Sequence, residues 1–212
     1  MKKQLLILSF VMSLLACESR EAKLPILGNR TTQTEVVNGK LVTDTIYHTI
    51  PPFILVDQDS ATITEANMNG HITISDFFFT SCPTICPIMK TQMLRVYQAF
   101  ENDSSILILS HSIDSEHDTV ALLRDFAERL DVSSKRWHFL TGPQEDIFEL
   151  GEKGYIVTTQ SDPDAPGGYL HSGAFILVDD QRRIRGIYDG TEPEQVDQLI
   201  KDIPRLKKEL GL

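Results

Sequence analysis

From residue 71 onward the chain alternates apolar runs with amphipathic segments, and this alternation limits the folds open to it. Largely apolar runs at 72–79 and 106–109 are typical of buried strands. Between them, Met89, Met93 and Val96 recur at helical spacing and predict a helix. The succession continues with a helix over 119–130, a strand over 137–140 and a helix over 144–153. Such an order predicts parallel strands joined by helices.

Hairpins are predicted on both sides of this succession. The runs 174–178 and 184–188 flank a polar turn, and a last helix is predicted over 192–210. Near the N-terminus, Asn38-Gly39 predicts one hairpin turn, and a second hairpin is predicted to pair 53–56 with 62–64. The predicted fold is therefore α/β, a thioredoxin-like three-layer sandwich with an N-terminal β-hairpin extension.

The first 16 residues predict an export signal. Two lysines precede an apolar stretch over 5–16, which is shorter than the roughly 20 residues that a helix needs to cross a bilayer. Leu14-Leu15-Ala16-Cys17 resembles the bacterial lipobox, in which the cysteine thiol is acylated and becomes the new N-terminus. A plain secretory signal with an incidental Cys17 is the alternative. We expect an exported, periplasm-facing protein that is anchored to a membrane only through a lipid on Cys17.

Length and net charge limit the number of domains and the kinds of partner that the chain can have. Its 212 residues suffice for one domain with a sizeable core, and the formal net charge of −10 makes nucleic acid an unfavourable partner. The predicted organisation is a lipoprotein signal peptide at 1–16, a tether with a small hairpin at 17–50 and a thioredoxin-like domain at 51–212.

Two thiols, Cys82 and Cys86, remain in the domain once Cys17 is assigned to the lipid. Two cysteines are too few for a disulfide framework, and a domain of this size needs none. Both lie in the predicted turn between a buried strand and a helix N-terminus, where backbone amides favour negative charge. At least one thiol pKa should therefore be lowered, and the thiolate is both nucleophile and metal ligand.

Three intervening residues leave two kinds of chemistry open to the pair. The sulfurs can close a disulfide or bind one ion together. Soft thiolates select Cu(I), zinc or iron–sulfur clusters, but a cluster needs four cysteines and a structural zinc site needs four Cys or His ligands. Two thiolates with one imidazole suit three-coordinate Cu(I).

These motifs together resemble the Sco/SenC family of copper-binding thioredoxin-fold proteins. The family pattern of a C-x-x-x-C-P loop and a distant D-H-S is matched by Cys82 to Pro87 and by His171-Ser172. A second family motif is matched at Asp114, Asp118 and Thr119, and the resemblance covers roughly 51–205. It implies that Cys82, Cys86 and His171 hold a copper ion, Cu(I) or Cu(II), and that the chain helps to assemble the copper centre of cytochrome c oxidase.

Two positions depart from the family pattern. Leu170 replaces the acid beside the histidine, and Ser115 replaces the proline after Asp114. Losing a carboxylate near the imidazole is expected to weaken its orientation, which typically costs metal sites about 10- to 100-fold in affinity. The polar segment 158–168, with two prolines and two glycines, is predicted to be a mobile loop that could move His171.

Other polar residues near these motifs carry competing interpretations. Asp114 either tunes the site or simply ends a strand. His111 and His117 are expected to be solvated loop residues rather than extra ligands. Met89 is expected in the core, and the acidic residues of the helix over 144–153 are expected to form a solvated face.

Two functions fit the sequence. The first is a metallochaperone that hands copper to a copper-accepting oxidase subunit by ligand exchange. The second is a thiol–disulfide oxidoreductase in which Cys82 and Cys86 are catalytic and reduce the cysteines of a copper-site client protein. The loop is one residue longer than the C-x-x-C of thioredoxins, and this favours copper binding over enzymatic activity.

Overall fold

The computed structural model describes residues 22–212. The predicted signal peptide and Cys17 lie outside the described residues. None of the helices within 22–212 is both long enough and apolar enough to span a bilayer.

The described residues form eleven strands and four α-helices. The strands are β1 (Arg30–Val37), β2 (Lys40–Tyr47), β3 (Ile54–Val56), β4 (Thr62–Thr64), β5 (Ile72–Phe78), β6 (Ile106–Ser112), β7 (Trp137–Leu140), β8 (Thr159–Ser161), β9 (Tyr169–His171), β10 (Ala174–Val178) and β11 (Ile184–Asp189). The helices are α1 (Cys86–Ala99), α2 (Val120–Leu130), α3 (Gln144–Glu149) and α4 (Pro193–Leu210). A wider helical turn over Leu150–Tyr155 continues α3, in place of the single helix predicted over 144–153.

Five strands form the central sheet, in the order β11-β10-β5-β6-β7. The β5, β6 and β7 strands are parallel, whereas β10 runs antiparallel to both β5 and β11. Parallel strands joined by helices and closed by an antiparallel hairpin are the arrangement predicted from the sequence.

Helical structure covers both faces of the sheet. Neighbouring residues of a strand point to opposite faces, so the contacts of two adjacent residues show what covers each face. Phe78 stacks on Phe126 of α2, with ring centroids 5.6 Å apart. Phe77 points the other way and packs on Tyr155, at 5.5 Å. The result is the three-layer α/β sandwich that the sequence predicts.

The N-terminal hairpin of β1 and β2 turns at Asn38-Gly39, as predicted. Both turn residues have positive φ angles, +52° and +76°, which asparagine and glycine adopt at low cost. Every residue of β1 is exposed, so the hairpin extends from the domain rather than joining its core.

Residues before the predicted domain boundary at 51 also pack against the domain. Leu24 and Ile50 are buried in the core. The buried guanidinium of Arg185 donates hydrogen bonds to the carbonyl oxygens of Leu24 and Pro25. The folded unit therefore includes parts of the segment predicted as a tether.

Three connections meet at one end of the sheet. The thiol-bearing turn follows β5, and because β6 is parallel to β5, the turn after β6 lies at the same end. Since β10 is antiparallel to β5, with Ile176 opposite Ser75, the residues just before β10 lie there as well. These residues include β9, which ends at His171.

Candidate metal centre

Cys82, Cys86 and His171 converge at this end of the sheet. One potential ligand atom from each residue lies within 4.8 Å of the others. The Sγ atom of Cys86 is 3.4 Å from Nε2 of His171. Both cysteines are free thiols and only 8% exposed. The structure thus brings together all three residues that the sequence analysis predicts as ligands.

Cys82 lies at the N-terminal end of α1, which begins at Cys86, with Pro87 in its first turn. Burial by itself opposes ionisation of Cys82, but hydrogen bonds from the backbone N–H groups of Thr84 and Cys86 and from the Cys86 thiol favour the thiolate. Together they lower the pKa of Cys82, as expected for a thiol beside a helix N-terminus. Cys82 is therefore the more readily ionised sulfur.

Cys86 differs from Cys82 although only three residues separate them. Burial, the neighbouring Cys82 sulfur and the buried Asp76 carboxyl all raise the pKa of Cys86. Asp76 lines the same small cavity of about 50 Å³ behind both sulfurs. The pair thus consists of one acidic thiol and one that stays protonated until a partner or an ion replaces its proton.

His171 presents its Nε2 atom to the sulfurs. Its Nδ1 atom lies 3.1 Å from the carbonyl oxygen of Ser172. Because a carbonyl oxygen only accepts, Nδ1 carries the proton and Nε2 keeps a free lone pair. Burial lowers the pKa of His171, so the imidazole is neutral near pH 7, the form that binds metals.

The turn after β6 fixes the thiol-bearing segment through Asp118. This carboxylate is fully buried, and its Oδ2 atom accepts hydrogen bonds from the backbone N–H of Thr80 at 2.9 Å and from the Ser112 hydroxyl at 2.6 Å. The Thr80 hydroxyl donates to Oδ1 of Asp118. Thr80 is two residues before Cys82, so Asp118 anchors the start of the cysteine turn.

The structure corrects one expectation about the nearby histidines. His111 is a fully buried residue of β6 and stacks on Phe77, so the expectation of a solvated loop residue is wrong for it. Burial lowers the pKa of His111 to about 4. The His117 side chain is 55% exposed and contacts Asp118 at 3.1 Å, in agreement with its predicted loop position. Neither histidine belongs to the thiol–imidazole cluster.

Other expectations hold. Met89 is buried in the core, and Glu145, Asp146, Glu149 and Glu152 are exposed. Asp114 follows the end of β6, and its Oδ1 atom also accepts a hydrogen bond from the Tyr169 hydroxyl at 3.0 Å.

The loop predicted as mobile contains β8, in which Thr159 pairs with His171 of β9. Its mobility stays a prediction.

Sequence reasoning gave no role to Asp76, Thr80 or Tyr169, which surround the cluster. A single acid in a largely apolar strand run is the signal that could have identified Asp76. Its carboxyl accepts from the Ser110 hydroxyl, and burial raises its pKa to about 7. Nothing local distinguishes Tyr169, because its importance depends on contacts with distant parts of the chain.

A thioredoxin-like sandwich that presents two thiols and one imidazole at the N-terminus of its first long helix defines a class of proteins suited to soft metal ions and to dithiol exchange. The SCO1/SenC family model matches residues 43–208. The chain belongs to the SCO1/SenC family, as the sequence motifs predict.

Three solved structures illustrate the relationship. A SCO1/SenC family lipoprotein from Bacillus anthracis is 25% identical, with a TM-score of 0.69 over 75% of this chain and 95% of that one. BsSco, described as having a disulfide switch and belonging to the Sco family of cytochrome c oxidase assembly proteins, is 28% identical, with a TM-score of 0.67 over 76% and 94%. Arabidopsis thaliana ScoI with copper bound is 25% identical, with a TM-score of 0.61 over 73% and 98%.

Proposed function

We propose that the protein is a copper metallochaperone that binds one copper ion through Cys82, Cys86 and His171 and delivers it to a copper centre of a respiratory oxidase. The observation that carries the proposal is the convergence of two sulfurs and Nε2 within 4.8 Å. The copper-bound structure of Arabidopsis ScoI and the description of BsSco as an oxidase assembly protein support it.

The donor set favours Cu(I) over harder cations. Two thiolates and an imidazole are soft to intermediate ligands, whereas calcium and magnesium prefer oxygen. Copper binding displaces the proton of Cys86, while Cys82 supplies the more acidic thiol and His171 a neutral ring.

Delivery is proposed to proceed by stepwise ligand exchange. Thiols and imidazoles of the acceptor replace His171, Cys82 and Cys86 one at a time, so that the ion is never free in solution. The site lies at one end of the central sheet, at the start of α1 and the end of β9, and the acceptor is proposed to approach it from that end. The acceptor is proposed to be the copper-accepting oxidase subunit.

A Cu(I) titration of the reduced protein tests this function. We expect one copper per chain and a loss of affinity of about 10-fold or more in His171→Ala, because a three-coordinate site would fall to two ligands. His71→Ala is the matched control, since His71 precedes β5 at the end of the sheet opposite the cysteines. Equal affinities of wild type and His171→Ala would overturn the three-ligand site.

A thiol–disulfide oxidoreductase is the second candidate, and the unequal thiols favour it. The Cys82 thiolate would attack a client disulfide and form a mixed disulfide, and one client sulfur would leave as a thiolate. Cys86 would then lose its proton and attack Cys82, which releases the second client thiol. The cycle leaves a disulfide between Cys82 and Cys86 and two thiols on the client. A thiol reductant must then reduce that disulfide before the next cycle. The disulfide switch described for BsSco is consistent with such a cycle.

The two functions separate in a paired assay of His171→Ala. Copper delivery needs the imidazole, whereas dithiol exchange needs only the two sulfurs. Loss of Cu(I) affinity together with undiminished disulfide reduction would assign catalysis to the thiol pair and metal binding to the three-residue site.

We further propose that the protein is exported and held at a membrane surface by a lipid on Cys17. The leader and the Leu14–Cys17 motif support this proposal. A SCO1/SenC family lipoprotein from Bacillus anthracis has a similar structure. Metabolic labelling with a fatty acid, compared between wild type and Cys17→Ala, tests it, and unlabelled wild-type protein would contradict it.

A further inference from the structure

The strand that ends at His171 is tied to the domain through Tyr169. The Tyr169 hydroxyl donates to Oδ1 of Asp114 at 3.0 Å and accepts from Nε2 of Gln144 at 3.1 Å. The same Gln144 amide also donates to the carbonyl oxygen of Ile113, at 2.7 Å. One hydroxyl of β9 thus bonds to the turn after β6 and to the first residue of α3.

Tyr169 and His171 lie on the same face of β9, because residues two apart in a strand point the same way. Both rings contact the ring of Phe79, with centroid distances of 5.4 Å for Tyr169 and 5.8 Å for His171. Leu170 points away from this face and is 43% exposed. It therefore supplies no polar group to orient the imidazole.

The imidazole has few polar contacts of its own. Its Nδ1 atom contacts the carbonyl oxygen of the adjacent Ser172, which moves with it, and Nε2 contacts the Cys86 sulfur. The backbone of Phe77 in β5 also interacts with the ring. The position of the ring relative to the thiols therefore depends strongly on where β9 is held. The Tyr169 hydroxyl ties β9 to the body of the domain through Asp114 and Gln144, independently of the imidazole.

The segment that holds Tyr169 also holds the cysteine turn. Asp114 and Asp118 belong to one turn, in which the Asp118 N–H donates to the Asp114 carbonyl at 2.8 Å. Asp118 accepts two hydrogen bonds from Thr80, and Asp114 accepts one from Tyr169. Both ligand-bearing segments are therefore anchored to the same five residues.

We propose that Tyr169 is a positioning residue that holds His171 at ligand distance from the two thiols, by anchoring β9 to the Asp114–Asp118 turn that also anchors the cysteine segment. In this chain the anchor orients the imidazole from within β9, where Leu170 offers no carboxylate. The inference rests on the proposed copper function and specifies what sets the geometry of its third ligand.

Tyr169→Phe tests the proposal with minimal disturbance, because it removes the hydroxyl and keeps the ring that packs on Phe79. We expect Cu(I) affinity to fall by about 10-fold, the lower end of the usual effect of losing an orienting partner. In the His171→Ala background the same substitution should leave Cu(I) affinity unchanged, since no imidazole remains to be positioned. Tyr47→Phe, at the half-buried end of β2 in the N-terminal hairpin, is the matched control.

Hydrogen exchange in the metal-free protein gives a second readout. Amides of 159–171 should exchange faster in Tyr169→Phe than in wild type, whereas those of β5 and β6 should not change. An unchanged affinity of Tyr169→Phe, or an equal loss in both backgrounds, would overturn the proposal. If His171→Ala binds copper as tightly as wild type, the three-ligand function fails separately. Amide hydrogen exchange over 159–171 in Tyr169→Phe then tests whether Tyr169 anchors β9. Rates equal to those of the wild type would refute the anchoring, and faster rates would support it.

Discussion

The Nε2 atom of His171 lies 3.4 Å from the Sγ atom of Cys86, although 85 positions separate the two residues in the chain. Typical distances from a metal ion are about 2.3 Å for a sulfur ligand and about 2.0 Å for a nitrogen ligand. In a trigonal site, such a sulfur and nitrogen are roughly 3.7 Å apart. The separation in the metal-free site is therefore close to that of two ligands of one ion, and binding requires only a small adjustment.

Alkylation of the reduced protein at pH 7 should label Cys82 before Cys86. The hydrogen bonds at the N-terminal end of α1 lower the pKa of Cys82, whereas burial raises that of Cys86, and only thiolates react quickly. Peptide mass spectrometry after a short iodoacetamide pulse measures the order. Cys86→Ala should still be labelled at Cys82, but more slowly, because the thiol that donates to the Cys82 sulfur has been removed. Faster labelling of Cys86 would contradict the assignment.

The contribution of His171 to copper affinity should change little between pH 7.5 and 6.0. An imidazole with its ordinary pKa of 6.5 would lose about fourfold in affinity over this range, because protons compete for Nε2. Burial lowers the pKa of His171, so competition begins at lower pH and the loss should be smaller than this fourfold. The ratio of wild-type to His171→Ala affinity measures this, since proton competition at the thiols affects both proteins. A fourfold fall in the ratio would show an imidazole with ordinary basicity.

Asp76→Asn should remove a loss of stability that the Asp76 carboxyl causes in the wild type between pH 5 and pH 7. Burial raises the pKa of Asp76 from 3.8 to about 7, so between pH 5 and 7 the folded state holds a proton that the unfolded state lacks. Stability of the wild type therefore falls as pH rises through this window, by about 2 kcal/mol from this group. The variant lacks this loss, and the amide oxygen of the introduced asparagine can still accept from Ser110.

Urea unfolding of wild type and Asp76→Asn at pH 5 and pH 7 measures the difference. The exposed Asp125, replaced by asparagine, serves as the control and should leave the pH dependence unchanged. Parallel pH profiles of wild type and Asp76→Asn would mean that the Asp76 carboxyl is ionised in the folded protein throughout this range.

Asp118→Ala should destabilise the protein by about 2–4 kcal/mol, because it leaves the Thr80 N–H and the Ser112 hydroxyl without their acceptor in a buried site. Copper affinity should fall as well, since the start of the cysteine turn loses its anchor. Chemical denaturation and Cu(I) titration measure the two effects, with Asp125→Ala as a surface control. A stability loss below about 1 kcal/mol would show that water or another group satisfies these donors.

Most of the secondary structure and the thiol turn could be predicted from local sequence. The apolar run before Cys82, the amphipathic stripe after Cys86 and the Asn38-Gly39 turn each encode their structure within a few residues. Alternation of strands and helices then restricts the topology to few arrangements, which is why the thioredoxin-like sandwich was predictable. The position of His171 was predictable only through resemblance to a family, since a single histidine has no periodicity.

The environment of the site could not be read from local patterns. His111 looked like a loop residue, but the strand run continues through it and buries it in β6. The segment before His171 has the composition of a loop, yet it contains β8, which pairs with β9 across the intervening turn. Both outcomes depend on contacts with residues far away in sequence.

The sequence by itself determined which side chains are available for chemistry and placed two of them at a helix N-terminus, because helix and strand periodicity act over short distances. The tertiary structure alone decided that Nε2 of His171 meets the sulfurs, that Asp76 lies behind them and that Tyr169 bonds to Asp114. The meeting of Nε2 with the sulfurs follows from the antiparallel pairing of β10 with β5, which brings the two distant ligand-bearing segments to the same end of one sheet.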